Sequence, residues 1–479
     1  MNYLKTYKLS ELYELSSGIS TTPSQAGHGY PFCSFKTIFD NPILPEELPD
    51  LMDTSETERE IYSIKEGDVL LTRTSETLDE LAMTSVALKD YPNATFSGFA
   101  KRLRPISNSV YPKFMAFFFR SDYFRKIINN KAVMTLRASF NENIFDDISF
   151  DLPPIEDQIK AGDFLFDIEE KIRNNNALAR SFKDIINTIF DYWFIQFNFD
   201  YVDASLKVSD KNMIYNNDIK GYIPNGWKSV PLKDVIQEEK NGDWGEAHRN
   251  GNYTCEVSCI KGTDIEGIIN GGYDTLEDRY ILQSHKNRLL NINDYVVEIS
   301  GTPGRSVYVN KSLLTRYEKP LIASNFCLAF SLKNNLLFWF DCVWKNLYNN
   351  GVMSNFSGKT TISNLLFEVL ADSFYVALPP EDVLERFNNI VEPMYEMIQG
   401  LYDENKRMNN MRKFLINFFM TGQAKFSKLE PEQIKQVCSL SYLDRFNKWK
   451  KSQGYAARGD VDDDTLKKIF DAMDEDAKN

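Results

Sequence analysis

The strongest constraint on this chain is that it repeats itself. The segment Leu152-Pro-Pro-Ile-Glu-Asp returns as Leu378-Pro-Pro-Glu-Asp, and the two leucines lie 226 residues apart. The same offset relates Asp68, in Gly67-Asp-Val-Leu-Leu-Thr-Arg73, to Asp294, in Asn293-Asp-Tyr-Val-Val-Glu-Ile299, and sets Phe35-Lys-Thr37 opposite Lys261-Gly-Thr263. Small insertions adjust two further pairs: Tyr7 to Leu12 with Val230 to Val235, and Ser97-Gly98-Phe99 with Ser324-Asn325-Phe326. Chance can supply one such pair. Several collinear pairs at nearly one spacing point to duplication, so both halves should follow one folding plan. A chain of 479 residues has room for that plan twice.

Each copy opens with about 150 residues of short β-branched and aromatic runs, such as Asp68-Val-Leu-Leu-Thr-Arg and Asp294-Tyr-Val-Val-Glu-Ile-Ser, punctuated by Gly, Pro and Asn. These predict strands joined by turns with short helices between them, an α+β domain. Its long polar loops, 16–30 and 240–252, are where a rigid scaffold carries recognition groups. After each Leu-Pro-Pro the period becomes helical for about 40 residues. Gln158, Ala161, Leu165, Ile168, Ile172, Asn175, Ala179, Phe182, Ile186, Ile189 and Trp193 step by three and four. In the second copy Val391, Met394, Ile398, Leu401, Asn405, Met408, Leu415 and Phe419 do the same. Arg412 interrupts that second seam, and Pro393 predicts an early bend. Asn175 and Asn405 occupy seam positions, either as buried amides that set register or as half-exposed residues near a crossing. The fold expected is therefore two globular α/β domains in tandem, each followed by a long helix, the helices pairing as an antiparallel coiled coil. Each helix would be on the order of 50 Å long.

Bulk composition narrows the class. Hydrophobic residues make up 43% and aromatics 13%, enough for buried cores. No apolar run approaches the ~18 residues that cross a bilayer, and the N-terminus lacks a secretory pattern, so a cytoplasmic location without membrane association is expected. Six scattered cysteines, at 33, 255, 259, 327, 342 and 438, read as reduced thiols. The net charge of -13 argues at first against nucleic acid. Its distribution is uneven. Nine basic residues between Phe99 and Phe140 face one acid, Asp122, and seven between Ser300 and Ser363 face Glu318 and Asp341. A single basic run is usually a solvated face, but two at matching places in a repeat are harder to dismiss.

Taken together, the doubled Leu-Pro-Pro entry, Pro224-Asn-Gly-Trp-Lys228, the Gly-Asp-Val and Ile-Ser-Gly-Thr-Pro-Gly-Arg runs, Tyr192-Trp-Phe-Ile-Gln-Phe197 and the Glu404-Asn-Lys406 to Gly422-Gln423 stretch carry a resemblance. The chain resembles the specificity subunit of a type I restriction-modification system over roughly residues 1–424. The resemblance implies target-recognition domains at 1–151 and 228–377, spacer helices at 152–199 and 378–424, and a linker at 200–227. It also implies that each domain reads one half of a bipartite double-stranded DNA site, an asymmetric one because the loops of the two copies differ. The implied partners are methyltransferase subunits, commonly two, and motor-nuclease subunits. S-adenosylmethionine, ATP and Mg would belong to those partners, with no cofactor or metal in this chain. The tail at 425–479, with an acidic end, departs from the pattern.

Catalytic signatures are missing or incomplete. Ser357-Gly-Lys-Thr360 imitates the end of a phosphate-binding loop, but Met353 stands where its first glycine belongs. Pro49-Asp50 finds no following Asp/Glu-x-Lys before Lys101, and His248, Cys255 and Cys259 lack a fourth zinc ligand. DNA contacts are expected by residue type and place. Arg and Lys donate to guanine or hold phosphates, and Asn pairs with adenine. The candidates are Lys101, Arg102, Arg104, Arg137 and Asn141 in the first domain, and Arg305, Asn325, Lys359 and Thr360 in the second. The alternative for each is an intradomain partner. The alternative for the whole chain is a coiled-coil protein-interaction subunit without DNA readout, which the acidic net charge suits better.

Overall fold

The computed structural model describes residues 4–75, 77, 80–131, 138–198, 213–272, 276–333, 335–358 and 363–420. The expected tail at 425–479 and the candidates Arg137, Lys359 and Thr360 lie outside the described residues. The chain forms two compact units, one built on Met1–Asp163 and taking in the helix end from Ile416, the other Phe164–Leu415. The division therefore cuts through both long helices and not at their starts.

In the first unit, β1 (Lys5–Lys8) pairs antiparallel with β11 (Ser149–Leu152), tying the domain's beginning to its end. Between them lie β2 (Tyr13–Ser17), β3 (Ala26–Cys33), β4 (Asp50–Met52), β5 (Val69–Thr72), β6 (Thr74–Ser75), β7 (Thr84–Val86), β8 (Thr95–Phe96), β9 (Ala100–Pro105) and β10 (Ala138–Ser139). A four-stranded sheet has the order β2-β9-β5-β7 and a three-stranded sheet the order β4-β3-β8, with β3 and β8 parallel. Every residue of β5 is buried, which a strand covered on both faces requires and Val-Leu-Leu-Thr supplies. The helices Pro112–Phe118 and Asp122–Lys131 close the core with an aromatic cluster, in which Phe118 and Phe150 stand 4.9 Å apart and Phe119 and Phe124 4.8 Å.

The second unit repeats this plan. The expected linker contains a hairpin of β12 (Met213–Asn216) and β13 (Gly221–Pro224). Then follow β14 (Lys228–Pro231), β15 (Ile236–Asn241), β16 (Tyr253–Ile260), β17 (Glu277–Leu282), β18 (Tyr295–Glu298), β19 (Ser306–Tyr308), β20 (Leu321–Ala323), β21 (Cys327–Leu332), β22 (Ser357–Gly358), β23 (Asn364–Leu365) and β24 (Tyr375–Leu378). β14 pairs with β24 as β1 does with β11. The larger sheet runs β15-β21-β18-β19 and the smaller β17-β16-β20, again with its last pair parallel. In these two sheets the order is, strand for strand, that of the first unit.

The two buried aspartates found by the 226-residue offset play one role with different partners. Asp68 accepts from the Lys65 backbone N–H at 2.8 Å and Asp294 from that of Asn291 at 2.7 Å, each closing the turn into a central strand. Arg104 on β9 neutralises Asp68 at 2.6 Å, whereas Lys240 on β15 neutralises Asp294 at 2.6 Å. The acid is shared by the two copies. The cation has changed strands.

The first long helix spans Ile155–Phe190 and ends in a wide turn over Asp191–Ile195; the second spans Glu381–Met420 and runs on through Pro393. Gln158, expected on the seam, instead spends its amide on the first domain, donating to the carbonyls of Ser109 and Pro153 and accepting from the Tyr111 N–H. Within the second unit the helices touch at Glu169 with Arg412, Asn175 with Asn405, and Trp193 with Phe387. As one number rises the other falls, so they run antiparallel there. Arg412, out of place in an apolar seam, is explained by Glu169.

Of the expected seam, Leu165, Ile168, Ile172, Asn175, Ile398, Asn405 and Leu415 are buried, while Phe182, Ile189, Met394, Leu401 and Met408 are half-buried. Tyr395 and Tyr402, absent from that seam, are buried as well. The reason is that Ala179, Ile186, Phe190, Trp193, Tyr395 and Tyr402 share one core with Tyr295, Trp339 and Trp344 of the second domain. The helix pair there is a wall of the domain. Amphipathic periodicity specifies that a face is buried, not whether a helix or a sheet buries it.

Candidate nucleic-acid interface

In each domain the four-stranded and three-stranded sheets meet at a tight turn, and the two turns are built with the same hydrogen bonds. In the first, the Ser97 N–H donates to the Cys33 carbonyl at 3.1 Å, the Ala100 N–H to Ser97 at 2.9 Å, the Arg73 N–H to Phe99 at 2.9 Å and the Phe140 N–H to Arg73 at 2.8 Å. In the second, Ser324 donates to Ile260 at 2.9 Å, Cys327 to Ser324 at 2.9 Å, Ile299 to Phe326 at 2.9 Å and Leu365 to Ile299 at 2.8 Å. A glycine presses on each turn from outside. A Cβ on Gly18 would stand 2.1 Å from the Ser97 carbonyl oxygen, and one on Gly242 1.8 Å from that of Ser324. Only glycine allows backbone to lie that close.

The side chains at this junction are open to solvent. Phe99 is 68% exposed and Phe326 56%, and Arg73 and Asn325 are exposed beside them. Behind the turn, a buried polar residue at the end of each central strand ties down the next loop. The Thr72 hydroxyl accepts from the Met83 N–H at 2.9 Å, and Glu298 accepts from the Thr302 N–H at 3.1 Å.

The expected contact residues divide into three groups. Arg102 is buried, donates to the Ser63 carbonyl at 2.5 Å, and is held below the usual arginine range by burial and by Arg104. Arg104 binds Asp68 and Ser63, and its hydrogen bond to Asp68 raises its pKa. Arg305 donates from Nε to Glu298 at 2.7 Å, with the same consequence. These three guanidinium groups bind inside their domains. Lys101 is buried on β9, 4.0 Å from Glu142. Asn141 is exposed and caps the helix Glu142–Asp147 by accepting from the Ile144 N–H at 3.0 Å, and Asn325 is exposed on the turn itself. Arg137, Lys359 and Thr360 lie outside the described residues.

Much of the basic run in the first domain has the same internal use. Arg120 donates to the carbonyls of Thr84, Ile38 and Phe39, and Arg125 to that of Leu81. Carbonyls at a helix end, a strand edge or a loop lack a partner in the regular ladder, and long cationic side chains satisfy them. Arg73 was missed among the candidates. Its sign in the sequence was its place just after the Asp68-Val-Leu-Leu-Thr strand, whose next residue turns toward the sheet end.

Among the described residues no group of three or more His, Cys, Asp or Glu is placed to hold a metal, and no helix is long and apolar enough to cross a membrane. Cys255 and Cys259 are residues of β16.

The fold is similar to that of a solved type I restriction-modification system S subunit from M. genitalium. The two superpose with a TM-score of 0.53 at 11% identity, covering 87% of this chain and 96% of that one. The family model for the type I restriction modification DNA specificity domain matches residues 2–181. The MjaIX specificity subunit of Methanocaldococcus jannaschii is 20% identical over 351 residues, 72% of this chain and 76% of its own. The EcoKI specificity subunit of Escherichia coli K12 is 25% identical over 179 residues, 36% of this chain and 38% of its own. Residues 2–181 thus match a DNA specificity domain, and over most of its length the chain is similar to specificity subunits of type I restriction-modification systems.

Proposed function

We propose that the chain is the non-catalytic specificity subunit of a type I restriction-modification complex, each domain reading one half of a bipartite, asymmetric DNA site. The observation that carries this is the recurrence of one sheet plan, down to the bonds of its strapped turn, in two domains whose exposed residues differ. A shared frame suits one way of approaching DNA, and different side chains on it suit two different half-sites. Asn141 and Asn325, with Arg73, Arg137, Lys359 and Thr360, are the residues we assign to that readout, Lys101 to support beside Glu142. The helices, paired as an antiparallel coiled coil, set the number of unread base pairs and dock two methyltransferase subunits, with motor-nuclease subunits joining the complex. S-adenosylmethionine, ATP and Mg act in those subunits, in the cytoplasm.

The test is reconstitution with methyltransferase subunits of a type I system, followed by mapping of modified bases. One split site with both halves defined is the expected result. An active methyltransferase that modifies no defined site in the presence of this chain would favour the protein-interaction alternative.

A further inference from the structure

An exposed aromatic side chain taken singly needs no explanation, because folded proteins leave much apolar surface in water. Phe99 and Phe326 are not single. Each is the third residue of a four-residue turn closed by the bond from residue four to residue one, Ala100 to Ser97 and Cys327 to Ser324. Each has its carbonyl held by the neighbouring central strand, through Arg73 and Ile299, and each turn is pressed by a glycine, Gly18 or Gly242. The surroundings otherwise change between the copies. Gly98 becomes Asn325, Ala100 becomes Cys327, Lys101 becomes Leu328 and Arg73 becomes Ile299. Of the turn's four residues only the buried serine and the ring are retained, and the ring is retained in solvent.

We infer that Phe99 and Phe326 are the matched apolar DNA contacts of the two domains, each pressing its ring on base surface in its own half-site. The inference rests on the function proposed above. A held backbone delivers the ring at a fixed position, so little ordering entropy is lost on binding. A ring also fits the division of labour, because an apolar wedge set against a base step of duplex DNA contacts base surface with little dependence on sequence. The same residue therefore serves two half-sites, while the varied neighbours Arg73, Asn325 and their loops discriminate between them.

The experiment uses the full chain in complex with its methyltransferase subunits, on a duplex carrying the mapped site. Phe99→Ala and Phe326→Ala are each expected to weaken specific binding at least tenfold while leaving the slope of log K against log salt unchanged, since no phosphate contact is lost. Phe99→Leu and Phe326→Leu should retain part of the affinity. Each alanine variant should also become less sensitive to mismatches in one half-site only, a different half for each. Thermal melting of the variants, expected to match wild type, separates these effects from misfolding. Wild-type affinity in both alanine variants, or a change in salt slope equal to a lost phosphate contact, would overturn the inference. Failure of the wild-type complex to recognise any split site would instead sink the underlying function, so the two failures are distinguishable.

Discussion

Asn175 donates from its side-chain amide to the side-chain oxygen of Asn405 at 2.9 Å, amide to amide, between the two antiparallel helices. Both residues are buried, at 3% and 5% exposure, and the pair is completed by Glu404, which accepts from Asn175 at 2.6 Å, and Asn176, which accepts from Asn405 at 2.8 Å. A polar pair inside an apolar seam specifies one register, because any slip leaves buried amides without partners. Asn175→Leu alone is expected to cost about 1–3 kcal/mol, the penalty of an unsatisfied buried amide. The Asn175→Leu, Asn405→Leu double variant should recover much of that loss, with a coupling of roughly 0.5–3 kcal/mol in a double-mutant cycle. Denaturant unfolding of the four proteins measures it, and strictly additive losses would contradict the bond.

The buried aspartates predict that some expected DNA contacts act on stability. Arg104→Ala leaves Asp68, which is fully buried, without its cation and should cost about 3 kcal/mol. Lys240→Met should do the same through Asp294, although the lysine comes from a different strand. Asn325→Ala, on the exposed turn, should leave the melting temperature unchanged and alter only DNA discrimination. Equal melting temperatures for all three variants would refute this division.

Glycine substitutions separate a required close approach from ordinary helix propensity. Gly18→Ala and Gly242→Ala place a Cβ against a carbonyl oxygen and should destabilise by about 1–3 kcal/mol as the turn shifts. Gly400→Ala, in the second long helix with nothing within 4 Å of its added Cβ, should stabilise by about 0.5–1 kcal/mol. Thermal unfolding of the three variants reads the opposite signs.

Thiol chemistry gives a pH-dependent check on the cores. Burial pushes the thiols of Cys259, Cys327 and Cys342 up to about 12, and that of Cys33 higher still. A raised thiol pKa means less of the reactive thiolate, so at pH 8 only about one in ten thousand of such groups is ionised. In a Cys438→Ser background the native chain should show fast reaction with a disulfide reagent at Cys255 alone, the remaining four thiols appearing on unfolding. Raising the pH to 9 should accelerate the buried groups about tenfold without making them fast. Prompt labelling of Cys342 at pH 8 would mean that its core is open.

The duplication, the central strands, the entry to each long helix and the seam asparagines were legible in the sequence, because each depends on local pattern. Strand runs, turn residues and helical period are set by neighbours within a few positions, and a repeat doubles every such signal. The role of the charges was not legible. Arg102 and Arg104 read as DNA contacts by type, and only the fold brings Ser63 and Asp68 to them from more than thirty residues away, while Arg305 is taken up by Glu298 seven residues before it. Pattern likewise fixed which helix faces are apolar, while the tertiary structure decided that the second domain covers part of them, through Tyr295, Trp339 and Trp344. The matched phenylalanines lie between these cases: their alignment was in the sequence, and their exposure was not. A residue's chemistry is written in its own identity, but whether that chemistry faces water, a partner or the core depends on side chains far away in sequence, and only folding brings those together.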